Sequence, residues 1–418
     1  MKATIIKDLQ YYKFCAYGFL KNLRFFEPFM LLFFMEKGLS FFEIGTLYSI
    51  REICINILEI PTGIIADALG RRKTMIYSFS AYIISFIIFY FSSSYFLYIL
   101  AFIFYGFGDA FRTGTHKAMI FDYLRMNGRQ DQKVHYYGHT RSWSQTGSAV
   151  SSIIAALLVF ITGNYQQIFI FSIIPYFLDL LLMISYPKEL DGDIRKLNKN
   201  ELMSTFKKVI NEFIFSFRNK LVLKSISNLS IFAGYHKAVK DFLQPFIQIL
   251  ALSLPLFLAY NDKQRSALLI GIIYFFIYLL TAIGAKNSGK IADWFKSIHK
   301  PLNISLIIGF GVGIFCGIFF IYDFIFVSIL FFVIIFIIEN LRKPIGISYF
   351  ADLMNPKILA TALSAESQAE TLFAAIIAPL LGFFADKYGL GHGMTIIALA
   401  LFVISPLFFV KKIQKNNI

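Results

Sequence analysis

Long apolar runs recur along this chain roughly every 30–40 residues, and short polar stretches punctuate them. Runs of this length that are poor in charge predict membrane-spanning helices. Twelve are predicted, at about residues 12–35, 43–66, 74–96, 98–124, 136–162, 166–186, 219–250, 266–286, 302–322, 324–350, 357–385 and 391–410. Polar residues interrupt the seventh and tenth, as in broken helices. Residues 187–220 are the one long polar segment. Within them, Leu202, Phe206, Val209, Ile210 and Phe213 keep helical spacing, which predicts an amphipathic helix at the membrane surface over 199–216. The expected organisation is a six-helix half over 1–187, a cytoplasmic linker over 188–218 and a second six-helix half over 219–418.

Composition strengthens this picture. Hydrophobic residues make up 57% and charged residues 16%, too little polar surface to cover a soluble globule. The fold class is therefore an all-α membrane protein. Cys15, Cys54 and Cys316 lie far apart in apolar runs, so no disulfide framework or redox motif is expected. The N-terminal stretch carries Lys21 and Arg24 and lacks a small-residue cleavage site, so it is read as a retained span rather than a signal peptide.

The net charge of +15 would suggest a nucleic-acid partner in a soluble protein. Here the cations sort by loop. Most fall in the N-terminal tail, 67–73, 125–135, 187–220, 286–300, 351–357 and the C-terminal tail. The alternate loops hold only Lys37, Lys263, Arg265 and Lys387. That bias predicts both termini in the cytoplasm and accounts for most of the charge without nucleic acid; the expected location is the plasma (inner) membrane.

Charges inside the spans follow a period of three. The third, ninth and twelfth spans carry essentially none and the sixth only Asp179, whereas the first, fourth, seventh and tenth are rich in them. Each costs about 3 kcal/mol or more against lipid. The period suggests repeated three-helix units in which one helix in three lines an aqueous cavity.

Between the second and third spans stands Gly63-x-x-x-Asp67-x-x-Gly70-Arg71-Arg72. A second copy, Gly289-x-x-x-Asp293, has Lys296 where the second glycine belongs; a third runs from Gly382 through Asp386 to Gly389. With twelve spans and a 6+6 split, the whole chain resembles the major facilitator superfamily. The resemblance implies two pseudo-symmetric six-helix halves. It also implies that the loop latches the halves on the cytoplasmic side, with Asp67, Arg71 and Arg72 favouring an outward-facing state. On physical grounds, Gly63 lets a helix approach closely and Asp67 suits a helix N-terminus. Gly70 permits a turn with φ > 0, and the cations can pair with Asp67 or with lipid phosphate. The plainer alternative is that this charge only anchors topology.

Candidate substrate- or proton-binding residues come from the charge-rich spans. Lys21, Arg24 and Glu27 are spaced by three and should share one helical face, with Pro28 loosening the helix. Asp109, Arg112 and His116 repeat the arrangement in the fourth span; Lys237 and Asp241 follow in the seventh, and Glu366 and Glu370 in the eleventh. Arg51, Glu52, Glu59 and Arg141 add charge in the second and fifth, and Glu339, Arg342 and Lys343 in the tenth. Glu27 and Asp109 are the first-choice proton carriers, read as incompletely paired carboxylates; His116 is the alternative. For any one of these residues a structural ion pair is an equal reading. His135 and His139 lack a third ligand nearby, so no metal is expected. No nucleotide loop or nucleophile elbow exists, so neither an enzyme nor a cofactor is expected.

Gly106-Phe107-Gly108 lacks the preceding arginine of drug antiporters, and TGSAVSSIIAAL in the fifth span lacks their proline. The leading expectation is nevertheless a monomeric secondary transporter, proton-coupled and exporting a small organic solute or drug. The rival is uptake or exchange of an anionic or zwitterionic metabolite, favoured by the surplus of cations in the charge-rich spans. A non-transporting sensor on the same fold is a third class.

Overall fold

The computed structural model describes residues 7–129, 132–192, 204, 220–353 and 356–412. The expected linker helix over 199–216 lies, Ser204 apart, outside them. The described residues form helices and turns without strands. In chain order the helices are α1 (Leu9–Leu20), α2 (Met30–Glu36), α3 (Phe41–Leu69), α4 (Arg71–Phe91), α5 (Tyr95–Arg112), α6 (Thr115–Met126), α7 (Lys133–Thr162) and α8 (Gln167–Ile184). There follow α9 (Lys220–Val239), α10 (Leu243–Ser253), α11 (Asp262–Trp294), α12 (His299–Ile321), α13 (Ile325–Leu353), α14 (Pro356–Tyr388) and α15 (Leu390–Ile404). Nine helical stretches among the described residues are long and apolar enough to cross a membrane.

Three charge-rich spans are discontinuous. The first, expected as one helix, stops at Leu20, where the Asn22 amide donates to the Gly18 carbonyl at 2.7 Å. The chain resumes through a 3-10 turn at Glu27–Phe29 before α2, with Pro28 supplying no N–H. Lys21, Arg24 and Glu27 thus line a break instead of sharing one helical face. The fourth breaks between α5 and α6: Thr113 is extended and bonds back to the Asp109 carbonyl, and Gly114 takes φ +81°. His116 therefore stands on a different helix from Asp109 and Arg112. The seventh breaks as expected, at a 3-10 turn over Lys240–Phe242, which separates Lys237 from Asp241. The tenth does not break; α13 runs through Pro344.

The chain gathers into two compact units. The first comprises Met1–Phe29, Cys54–Phe206 and Tyr260–Phe275; the second comprises Met30–Ile53, Lys207–Ala259 and Phe276–Ile418. In the first unit α4 packs on α5 and α8, and α1 on α7. Its core is aromatic: Phe86 meets Tyr176 edge-on at 4.9 Å, and Phe89 meets Phe102 at 5.0 Å. In the second unit α9 packs on α14, and α12 on α13 and α15. Phe232, Tyr235 and Phe310 form the centre of that core.

Candidate solute-binding site and loop motifs

In the first unit the helix breaks open a cavity of about 340 Å³. Lys21, Arg112, His116, Lys117 and Arg141 line it, with Tyr17, Asn22, Tyr137, Thr140 and Ser144 between them. No carboxylate is among the described residues of the lining. Asp109, expected to be incompletely paired, instead accepts from Arg112 Nη2 at 2.7 Å and from the Tyr82 hydroxyl at 2.5 Å. Arg112 Nε also donates to the Tyr82 oxygen at 3.1 Å. His116 stacks on Tyr17 at 3.5 Å, with Nε2 3.2 Å from the Tyr186 hydroxyl. Lys117 lies over Phe121 and Tyr137 at 5.6 and 5.5 Å. Arg24 and Glu27 pair at 3.8 Å, as their spacing suggested, away from the cavity wall.

Asp179 of α8 escaped selection from the sequence. It is fully buried, and neither carboxylate oxygen has a hydrogen-bond partner. Its one sequence signal was that it is the only charge in its span.

In the second unit Lys237 Nζ stands 2.6 Å from Glu52, which Arg51 also contacts at 3.0 Å. Asp241 is buried in the turn. Gln244 Oε1 accepts from the Leu31 and Leu32 amides at 3.0 and 3.4 Å. A separate pocket of about 240 Å³ is lined by Glu339, Glu366 and Glu370 with Arg342 and Lys343. Lys343 lies 3.9 Å from Glu370. Arg342, 1% exposed, spends its guanidinium on the Leu302 and Asn228 carbonyls and the Ser305 hydroxyl, over the face of Phe232.

The loop motif begins at Gly63 and Asp67, both in the last turns of α3; the Asp67 side chain lies outside what the structure describes. Gly70 has φ +95° and caps α4, as expected of the turn. An anion at that helix terminus is Asp191, whose Oδ1 accepts the Arg72 amide at 2.8 Å. Arg71 pairs with Asp122, and Arg72 reaches Asp191 at 3.7 Å and the Tyr186 carbonyl at 3.3 Å. In the second copy, Gly289 and Asp293 border a hollow on α11, and Lys296 takes φ +49°, the left-handed conformation that a glycine would supply. In the third copy, Gly389 has φ +94° and Asp386 caps α3.

Just before the first span, Asp8 caps α1 through the Tyr11 amide at 2.9 Å. Burial pushes its carboxyl up, but hydrogen bonds from Tyr123, Tyr11 and Arg129 outweigh this and hold it below its ordinary 3.8. The His135 side chain lies outside the described residues, and among those described no group of three His, Cys, Asp or Glu is placed to hold a metal.

This bundle of broken, charge-bearing helices with solute-sized cavities has the architecture of a membrane transporter. The profile of the Major Facilitator Superfamily matches residues 14–367, and the chain belongs to that superfamily. It is 25% identical over 161 residues to the uncharacterized MFS-type transporter YxaM of Bacillus subtilis (strain 168). That match covers 38% of this chain and 36% of the relative, little more than a third of the relative's length. Among solved structures, a mutant form of nucleoside transporter NupG superposes with a TM-score of 0.76 at 16% identity, covering 95% of this chain and 98% of that one. A POT family transporter in complex with a thioalcohol conjugated peptide gives 0.68 at 16% identity, covering 95% and 93%. At these identities the likeness is one of fold.

Proposed function

We propose that this protein is a proton-coupled secondary transporter whose solute carries an anionic group. The observation behind this reading is the first-unit cavity, whose charged lining is Lys21, Arg112, Lys117 and Arg141 with His116. Asp109, the nearby carboxylate, is already bound to Arg112. An anion entering there meets net positive charge, four cations against the one carboxylate of Asp109 and the buried Asp179, in a low-dielectric setting where attraction is strong. The aromatic walls, Phe14, Tyr17 and Tyr137, suit an organic body beside that group.

On this reading alternating access moves the solute across the plasma membrane, with both termini cytoplasmic and one chain, halves 1–187 and 219–418, sufficient. Gly63, Asp67, Gly70, Arg71 and Arg72 serve as the cytoplasmic latch, and Gly289 with Asp293 as its counterpart. A second reading, export of a lipophilic cation or drug, is favoured by the pocket with Glu339, Glu366 and Glu370.

Thermal unfolding of the purified protein with a ligand panel separates the two, because a ligand bound by the folded state raises the midpoint. Benzenesulfonate and benzoate should stabilise it, and Arg112→Gln should lose the effect. Stabilisation by tetraphenylphosphonium alone would replace the first reading with the second.

A further inference from the structure

Asp179 is the buried charge that the cavity chemistry leaves unused. It lies within α8, 0% exposed, with both oxygens lacking a hydrogen-bond donor. A buried carboxylate normally has donors, because its desolvation is costly without them. The charged groups whose fields reach it are Lys21 first and Arg112 second. Neither is within ion-pair distance of it, and Arg112 is committed to Asp109 and Tyr82.

The surroundings can be read element by element. From α1 come Tyr17 and, at its end, Lys21. From α4 comes Tyr82, whose ring meets Tyr176 of α8 at 5.1 Å while its hydroxyl serves Asp109. From α5 comes Arg112, and after α8 itself comes Tyr186, whose hydroxyl faces His116. α7, which also packs on α8, carries Arg141 and Tyr137 on the cavity wall rather than beside Asp179. Lys21 therefore has a double position: it lines the cavity, and its charge acts on the buried Asp179 as well as on Asp109.

We infer that Asp179 is the proton-binding residue of the first-unit cavity, coupled to an organic anion through Lys21. The inference rests on the anion-binding reading above. When the cavity is empty, the Lys21 ammonium offsets the Asp179 carboxylate. An anion bound in the cavity draws that ammonium to itself. Asp179 is then a buried charge without a counter-ion, and it takes one proton from water to become the neutral acid. One anion and one proton enter together, and one proton leaves when the anion does; no other bond forms or breaks. The linkage is reciprocal, so protonation of Asp179 tightens anion binding by the same factor.

The test is calorimetry of benzenesulfonate binding to the purified protein, in two buffers of different ionisation enthalpy, between pH 6 and 8. This probe does not itself titrate there. The wild-type protein should take up about one proton per anion where the coupling operates, with affinity falling about tenfold per pH unit as pH rises. Asp179→Asn should still bind the anion, with no proton uptake and no pH dependence. Lys21→Gln, which leaves Asp179 in place, should bind more weakly through Arg112 and Arg141 and take up no proton; it serves if the Asn variant does not fold. Binding with undiminished proton uptake in either variant overturns the inference and leaves the anion site standing. Wild-type binding without proton uptake does the same. Failure of the wild-type protein to bind the probe overturns the anion-site reading and the inference with it.

Discussion

Asp386 Oδ1 accepts the Phe41 amide at 2.8 Å, and its Oδ2 takes the neighbouring Phe42 amide at the same distance. Two of the amides left free at the start of α3 are satisfied by one carboxylate from α14, where the helix dipole also favours an anion. The glycines beside this cap allow the two backbones to touch. A Cβ on Gly382 would fall 2.2 Å from the Phe41 carbonyl oxygen, and one on Gly45 would fall 2.4 Å from that of Ala378. Asp386→Ala should therefore lower stability by about 1 kcal/mol. Gly382→Val should cost more, because its clash is with backbone and no side chain can swing away. Chemical denaturation of the two variants beside wild type measures both, and a smaller loss for Gly382→Val contradicts the packing described.

The Glu52–Lys237 pair is a second contact within the same unit, with Glu52 2% exposed. Removing one partner of a buried pair strands the other. Lys237→Met should destabilise by about 3 kcal/mol, at the low end of the usual range because Arg51 still contacts Glu52. Adding Glu52→Gln to that variant should recover much of the loss. A double-mutant cycle reads this coupling directly, and additive losses would mean that the pair contributes nothing.

Lys296 occupies a backbone conformation that costs an ordinary residue about 1 kcal/mol and a glycine almost nothing. Lys296→Gly should raise the unfolding midpoint slightly. Gly70→Ala should lower it, since φ is +95° there and the added Cβ would fall 2.8 Å from Asp191 Oδ1. Opposite signs at two equivalent motif positions are a demanding outcome, readable in one thermal-shift experiment.

Acid should act through Asp8. Folding holds its carboxyl below 3.8, so the folded state favours the ionised form. Its contribution is therefore fully present above that value and is lost as pH falls through the lower folded-state value. Asp8→Asn should flatten the acid limb of a stability profile below about pH 4 relative to wild type, and leave the slope above pH 5 unchanged. An acid limb as steep as wild type would remove Asp8 from the account.

The residues show why some of this was legible in sequence and some was not. Helical runs, the positive φ of Gly70 and the interruption at Lys240–Phe242 are local, and local patterns record them. The break at Thr113-Gly114 was also written locally, as a glycine beside a β-branched residue, but the surrounding apolar periodicity masked it. Asp191 was not legible as the cap of α4, because 119 positions separate it from Arg72. The Glu52–Lys237 contact is long-range in the same way. Asp179 looked unimportant because it stood alone, whereas a solitary carboxylate in an apolar helix is the pattern that demands a compensating charge from elsewhere.

On the proposed reading, the cationic cavity around Lys21 and Arg112 carries an organic anion together with a proton. The direct measurement is flux of labelled benzenesulfonate into sealed proteoliposomes under an imposed pH gradient. That anion stays ionised and does not cross lipid on its own. The label should accumulate on the alkaline side, with the accumulation dissipated by a protonophore and reduced at least about tenfold by Arg112→Gln, the loss of roughly 1.4 kcal/mol of binding. Movement of a lipophilic cation with no movement of the sulfonate, or flux indifferent to the gradient, would contradict that reading.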